Sequence, residues 1–153
     1  MSRPPSRGFT LIELMVAVLV LGVLAALAYP SFLDALRRGR RAEAMTALAG
    51  VQQAQERWRS DHAGYGLDLA ALGQAALTTS GYYGISLAAP AAADGTLATG
   101  YVLTAIGASG TSQAGDAACR RLSVRQLGGQ LAYAGCGSCA TFAYTPTHVC
   151  WSR

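Results

Sequence analysis

The chain contains no lysine and little charge of either sign. All 12 basic residues are arginine, and charged residues make up 13% of the 153 positions, against about 25% in an ordinary soluble domain. Hydrophobic residues make up 52%, so intrinsic disorder, which goes with few apolar residues and high charge, is excluded. The length fits about one domain. A conventional soluble domain is excluded as well, because the apolar excess lies in one segment.

Residue types that carry catalysis are also scarce. The two histidines, His62 and His148, are isolated in the sequence. No paired carboxylates, nucleophile motif or phosphate-binding glycine pattern accompanies them. We therefore predict that the protein is not an enzyme and that it needs no metal or cofactor.

The apolar excess lies near the N-terminus, between Phe9 and Leu33. Only five of these 25 residues are not apolar: Thr10, Glu13, Gly22, Pro30 and Ser31. The run from Leu14 to Leu33 contains 20 residues and no charge. A helix of that length spans about 30 Å of hydrocarbon. A removed secretory signal is the main alternative, because Arg3 and Arg7 precede the run. We predict a retained membrane helix, since the run is longer than a usual signal core and no clear cleavage site closes it.

The helical pattern continues past the apolar run to about Asp61 and becomes amphipathic after Leu33. Pro30 cannot donate to the helix ladder, and Gly22 adds a second weak point. We expect the helix to kink or loosen there. The first half must be surrounded by lipid or sister helices, whereas a folded domain must pack on the striped second half.

The rest of the chain indicates short elements. We predict strands at 82–87, 101–106, 119–125, 130–135 and 141–144, and a short helix at 67–77. The segments 119–125 and 130–135 form a hairpin in which Val124 lies opposite Leu131. In that register Arg121 and Arg125 share the face away from the apolar side chains.

All four cysteines lie in the last 35 residues: Cys119, Cys136, Cys139 and Cys150. An even number in a small exported domain predicts two structural disulfides. The Cys136–Cys139 spacing also occurs in redox and zinc sites, but the βαβ setting and the second close pair that those sites need are missing. The predicted hairpin register sets Cys119 opposite Cys136, so a 119–136 bridge with a 139–150 bridge remains open.

Glu13 is the only charge inside the apolar segment. An unpaired charge near a bilayer centre costs at least about 2.5 kcal/mol, which favours a function, whereas a position among the headgroups costs little. The string from Arg7 to Val16 resembles the processing site of type IV pilins and their relatives. That resemblance implies cleavage between Gly8 and Phe9, N-methylation of Phe9, and pairing of Glu13 with the N-terminal amine of a neighbouring subunit.

The resemblance extends along much of the chain. Segments 28–32, 38–44 and 113–119, and the pair Cys150-Trp151, are similar to PilE-type minor pilins of the type IVa system. It implies the α+β pilin fold, with a long N-terminal helix on a small antiparallel sheet and a disulfide-bonded C-terminal D-region. It places Gly22 and Pro30 where pilin helices loosen on assembly, and it implies a Cys119–Cys150 bridge that leaves Cys136 to Cys139. The implied parts are a leader (1–8), a transmembrane half-helix (9–33), an amphipathic half-helix (34–61) and a globular region (62–153).

The function implied by the resemblance is that of a minor pilin, a structural subunit of a type IV pilus supporting pilus biogenesis, twitching motility and adhesion. Its partners would be other pilin subunits, a prepilin peptidase that also methylates, and the inner-membrane assembly platform. The chain would cross the inner membrane once, with a cytoplasmic N-terminus, and later lie in the extracellular filament.

Two alternatives stay open. A minor pilin that binds DNA in natural competence would use the clustered arginines Arg120, Arg121 and Arg125, because phosphate binding needs a basic patch. Loss of Arg3 and Arg7 with the leader leaves 10 of the 12 arginines against 8 acidic residues, a net charge of +2. A pseudopilin of type II secretion shares the N-terminal motif but not usually the C-terminal disulfide loop.

Overall fold

The computed structural model describes residues 8–151. Over this range it has one long helix, α1 (Leu11–Asp61), followed by β1 (Tyr83–Ala88), β2 (Gly100–Gly107), β3 (Arg121–Leu127) and β4 (Gln130–Cys136). Two short 3-10 turns, Ser112–Gly115 and Val149–Trp151, complete the elements. The predicted α+β fold is therefore confirmed. The chain divides into two compact units between Leu36 and Arg37.

In its described part, from residue 8 onward, the N-terminal unit is an apolar helix with no core of its own. Every described side chain up to Phe32 is exposed, including Phe9 at 84% and Leu27 at 74%. The helix runs without a break through Gly22 and Pro30. It contains a stretch long and apolar enough to cross a membrane, with a mean hydropathy of 2.7 and none of that stretch buried. Such a surface requires lipid or other helices around it.

In the C-terminal unit, α1 buries one stripe of side chains. Ala44, Leu48, Val51 and Gln55 are buried, and their spacing of three or four residues places them on one helix face. They belong to one core with the inward side chains of the strands, among them Leu122, which is fully buried. Each fully buried aliphatic side chain contributes roughly 1.5–3 kcal/mol. The amphipathic half of the helix thus packs on the sheet as predicted.

The sheet has the strand order β1-β2-β3-β4, and all neighbours are antiparallel. The predicted hairpin register was wrong by two residues, because Val124 lies opposite Tyr133 rather than Leu131. The turn consists of Gly128 and Gly129, whose φ angles are 55° and 84°. A two-residue hairpin turn with two positive φ angles favours glycine, whereas the predicted register would have placed Leu127 there. A two-residue offset keeps each side chain on its face, so the predicted faces hold.

Two other local predictions were wrong. Within 67–77 only residues 69–73 form a turn, which Gly73 closes at φ 68°, with Gln74 N–H donating to Leu69 O at 2.8 Å. This bond is typical of a helix end, and it stops the helix after one turn. The predicted strand 141–144 is replaced by an isolated bridge between Thr145 and Tyr133. Pro146 follows directly, and proline cannot donate to a ladder.

Both disulfides close the C-terminal region. Cys119 is bonded to Cys150, with a Cα–Cα distance of 5.6 Å, and Cys136 to Cys139, at 5.8 Å. This is the pairing that the pilin resemblance implied. The alternative bridge is not formed because Cys136 lies opposite Arg121 in the observed register. We call the segment from Cys119 to Cys150 the D-region.

Candidate functional site

The first candidate site is the beginning of α1. The backbone N–H of Glu13 donates to Thr10 Oγ1 at 3.3 Å, and that of Leu14 to Thr10 O at 3.2 Å. Thr10 therefore caps the helix, as threonine commonly does. Glu13 lies in the first helical turn, where the helix dipole favours an acidic side chain. It is exposed in a helix whose other side chains nearby are apolar.

The predicted cleavage bond lies just before the helix. Gly8, Phe9 and Thr10 are outside regular structure and exposed. A Cβ placed on Gly8 would meet nothing within 4 Å, and the same holds for Gly22. Contacts within this chain therefore do not explain why glycine, rather than a larger residue, occupies either position. An exposed bond outside the helix is suited to a peptidase, because it needs no unfolding before cleavage.

The second candidate site is the outward face of β3. The Arg121 guanidinium lies 5.1 Å from the Phe142 ring centre, and its Nη1 donates to Cys139 O at 2.5 Å. The Arg125 guanidinium lies 4.4 Å from the Tyr144 ring centre. Two arginine–aromatic pairs thus follow each other along one strand, an arrangement in which cation–π attraction holds each guanidinium in place.

Ser123 and Asp94 complete this face. Ser123 Oγ lies 2.8 Å from the Tyr144 hydroxyl, so Tyr144 covers the strand between the two arginines. Arg125 also pairs with Asp94 at 3.0 Å. Ion pairs exposed to this extent contribute at most about 1 kcal/mol, so an incoming phosphate can compete for Arg125.

The third arginine of the predicted cluster lies elsewhere. Arg120 precedes β3, and its backbone O accepts a hydrogen bond from Gly107 N–H at 2.9 Å. It is outside the strand alternation that aligns Arg121 with Arg125. The predicted three-arginine cluster is therefore two aligned arginines and one neighbour.

Sequence reasoning missed an ion pair that ties α1 to the loop just before the D-region. Arg41 Nε donates to Asp116 Oδ2 at 2.6 Å, and Arg41 Nη2 to Asp116 Oδ1 at 2.7 Å. Asp116 is 2% exposed and also accepts N–H bonds from Ala118 and Cys119. Burial raises the pKa of Asp116, but the Arg41 and Cys119 hydrogen bonds outweigh it, and the net pKa is lowered. A separation of 75 residues leaves no local signal for this pair.

We expect Asp116 to make the C-terminal unit sensitive to acid. Because its pKa is lower in the folded than in the unfolded chain, its stabilisation is present above pH 4 and is lost as pH falls through the folded value. Asp116→Asn should lower the free energy of unfolding at pH 7 by about 2 kcal/mol, since Arg41 loses a charged partner. It should also flatten the pH dependence below pH 4.

Chemical unfolding of the full chain in detergent, followed by circular dichroism between pH 2 and pH 7, measures both effects. Asp61→Asn is the matched control, because Asp61 is exposed at the end of α1. Equal acid sensitivity in Asp116→Asn and the parent chain would contradict the role of this ion pair.

Two protein-family models match this chain. Residues 30–123 match the model of the family described as type IV minor pilin ComP, DNA uptake sequence receptor. Residues 3–29 match the prokaryotic N-terminal methylation motif. The first of these matches covers more than half of the chain.

Individual relatives agree with the family models. The fimbrial protein EcpC of Eikenella corrodens is 38% identical over 92 residues, which is 60% of each chain. The type IV major pilin PilA of Myxococcus xanthus is 44% identical over 59 residues, 39% of this chain and 27% of its own. A fimbrial protein of Moraxella nonliquefaciens is 44% identical over 46 residues, 30% of each chain. The match thus spans at most about 60% of these relatives.

Proposed function

Because this chain belongs to the type IV pilin family, in the group of the minor pilin ComP, we propose that it is a minor pilin. It is processed by a prepilin peptidase between Gly8 and Phe9, methylated at Phe9, and assembled into a type IV pilus through its N-terminal helix. Before assembly it spans the inner membrane with its N-terminus in the cytoplasm and contacts the assembly platform. After assembly it supports pilus biogenesis, twitching motility and adhesion from the filament.

The observation that carries this proposal is the exposed apolar helix with its one acidic side chain. Every described side chain up to Phe32 is exposed, so the helix needs a non-aqueous surrounding twice, first the bilayer and then neighbouring pilin helices. Cleavage creates a cationic amine at Phe9. In a low-dielectric helix bundle, that amine and a neighbour's Glu13 attract each other far more strongly than in water. The pair therefore sets the register while apolar contacts supply most of the assembly energy.

Mass spectrometry of sheared filaments tests this proposal. We expect a mature chain that begins at N-methylated Phe9, carries two disulfides and is present far below the level of the major subunit. Deletion of the gene should reduce filament number but leave filament composition nearly unchanged. A chain that retains residues 1–8, or that occurs only in the membrane fraction, would overturn it.

DNA binding in natural competence is the second candidate function. It is favoured by the ComP family match over residues 30–123 and by the aligned pair Arg121 and Arg125 on the outward face of β3. Guanidinium groups held by aromatic rings are preorganised for phosphate contacts, so that little side-chain entropy is lost on binding. The third alternative, a type II secretion pseudopilin, gains no comparable support.

We expect the Arg121→Ala/Arg125→Ala variant to bind duplex DNA about 10- to 100-fold more weakly than the parent at low salt. The slope of log K against log salt should fall by about 2, one unit for each lost phosphate contact. Adding Arg120→Ala should have a smaller further effect, because Arg120 lies outside the strand face. Fluorescence anisotropy with the full chain in a neutral detergent measures these changes.

The matched control is Arg38→Ala/Arg57→Ala, which removes the same charge from two exposed helix positions. An equal loss in both double variants would mean that net charge alone attracts DNA. No binding by the parent at low salt would exclude this second function altogether. Circular dichroism must show that the variants keep the fold, since Arg121 also holds the Cys139 carbonyl.

A further inference from the structure

A groove lies between α1 and the β3–β4 hairpin. It has a volume of about 520 Å³, and Gln126 lines it from the sheet. Gln126 alternates with Arg125 along β3 and shares its face with the buried side chains Leu122 and Val124. The groove therefore opens on the helix side of the sheet, away from the arginines of the proposed DNA face.

One wall of the groove is a row of polar side chains on α1. Gln52, Gln53 and Glu56 line it together. Gln52 and Gln53 precede Glu56 by four and three residues, so each of the two is a neighbour of Glu56 on the helix surface. Two primary amides and one carboxylate thus project from a rigid element. Each amide offers a donor and an acceptor side by side.

The floor of the groove contains an acceptor without a partner. Gln126 is 6% exposed, and its Nε2 donates to the Tyr65 hydroxyl at 3.1 Å. Its Oε1 is buried and has no hydrogen-bond partner among the described residues. A buried acceptor in this state is unfavourable. If the Gln126 side chain turns toward the groove, a ligand hydroxyl can donate a hydrogen bond to Oε1 and remove the penalty.

The opposite wall provides an apolar surface. Leu131 is 43% exposed and lines the groove next to Gly129 of the hairpin turn. Tyr65 adds an aromatic ring, held edge to face against Tyr101 at 4.8 Å. Aromatic and aliphatic groups beside a few convergent polar groups are typical of small-molecule sites.

The charge of the lining narrows the ligand class. Among the described residues that line the groove none is basic, and Glu56 is the acidic one. The Arg59 guanidinium lies 5.6 Å from the ring centre of Tyr65, so the charges of Glu56 and Arg59 balance at the groove. A neutral ligand therefore fits better than a phosphate, a nucleic acid or an acidic sugar, which would bring uncompensated negative charge. A sugar ring fits this lining, because its hydroxyl groups can bond the glutamine amides and its C–H groups can pack on the apolar wall.

We propose that this groove, lined by Gln52, Gln53, Glu56, Tyr65, Gln126 and Leu131, binds a neutral oligosaccharide. The ligand's hydroxyls pair with the amides and with Gln126 Oε1, while a sugar ring packs on Leu131 and Tyr65. The site lies outside the membrane-spanning half of α1 (9–33) and on the opposite side of the sheet from the arginine face, so binding there needs neither of them.

Saturation-transfer NMR of the full chain tests the proposal. The chain is held in lauryldimethylamine oxide, since a maltoside detergent would itself compete. The probes are cellotriose, maltotriose and triacetylchitotriose, with trigalacturonate as the acidic counterpart and triglutamine as a peptide. We expect transfer to at least one neutral trisaccharide and none to trigalacturonate or triglutamine.

Two variants locate the site. Gln126→Leu and Gln53→Ala should each weaken binding of the responding trisaccharide about tenfold, the loss expected for one hydrogen bond. Gln53 is exposed on the helix, so its replacement tests the groove even if Gln126→Leu fails to fold. Gln130→Ala, an exposed glutamine outside the groove, should bind as the parent does. No transfer to any neutral trisaccharide, equal or stronger transfer to trigalacturonate or triglutamine, or unchanged binding in Gln53→Ala would overturn the proposal.

Discussion

We expect Glu13→Ala to leave the chain in the inner membrane and to remove it from filaments. The apolar run from Leu14 to Leu33 is unchanged in this variant, so insertion should proceed as in the parent. The amine of a neighbouring Phe9 would instead be buried in the helix bundle without its partner. Removing one partner of a buried ion pair costs about 3–5 kcal/mol, which corresponds to a loss of incorporation of roughly 100-fold or more.

Quantitative immunoblotting of membrane and sheared-filament fractions measures the two effects separately. Glu13→Gln keeps the size of the side chain and its hydrogen-bonding oxygen but removes the charge, so it should also fail to assemble. Glu56→Ala removes an exposed carboxylate from the C-terminal unit and should assemble normally. Filament levels of Glu13→Ala equal to the parent would refute the pairing of Glu13 with the Phe9 amine.

The parts of the molecule that follow local rules could be predicted from the sequence. The extent of α1 follows from hydrophobic periodicity, because the same residues that repeat in the pattern, such as Leu48 and Val51, form the buried stripe. The faces of β3 follow from alternation, since Arg121 and Arg125 lie outward and Leu122 lies inward. The pilin resemblance depends on a contiguous motif before and within α1, and the methylation-motif match covers the same residues.

The parts that depend on contacts between distant residues could not be predicted. Gly128 and Gly129 fix the hairpin register through two positive φ angles, and a choice between adjacent two-residue turns leaves the hydrophobic pattern unchanged. The Arg41–Asp116 ion pair joins residues 75 positions apart. The placement of Phe142 and Tyr144 over the arginines depends on which cysteines are bonded to each other. The cysteine spacing alone leaves that pairing open.

Loss of the Cys119–Cys150 bridge is expected to have the largest effect on stability. The bridge joins two cysteines that are 31 residues apart in the sequence, and both are buried, at 3% and 2% exposure. A loop of that length gives about 4 kcal/mol of stabilisation by chain entropy, against about 2 kcal/mol for the three-residue separation of Cys136 and Cys139. We therefore expect Cys119→Ala/Cys150→Ala to unfold more than 10 °C below the parent.

The same bridge supports the arginine face from a distance. The Cys150 Sγ lies against Gly135, where an added Cβ would approach it to 2.8 Å, and Trp151 Nε1 donates to Ala134 O at 2.9 Å. These contacts hold the end of the D-region on β4. Without the bridge, Phe142 and Tyr144 lose a fixed attachment, so the guanidinium groups beneath them lose their orientation.

Thermal unfolding of the full chain in detergent, followed by near-ultraviolet circular dichroism, should therefore separate the two cysteine pairs. Cys136→Ala/Cys139→Ala serves as the matched variant, because it removes the same number of sulfur atoms and a bridge between two half-buried residues. Its unfolding temperature should fall by about half as much. If the parent binds DNA, the Cys119→Ala/Cys150→Ala chain should bind it more weakly even at temperatures where it remains folded. Equal destabilisation by the two double variants would mean that loop closure is not what the Cys119–Cys150 bridge contributes.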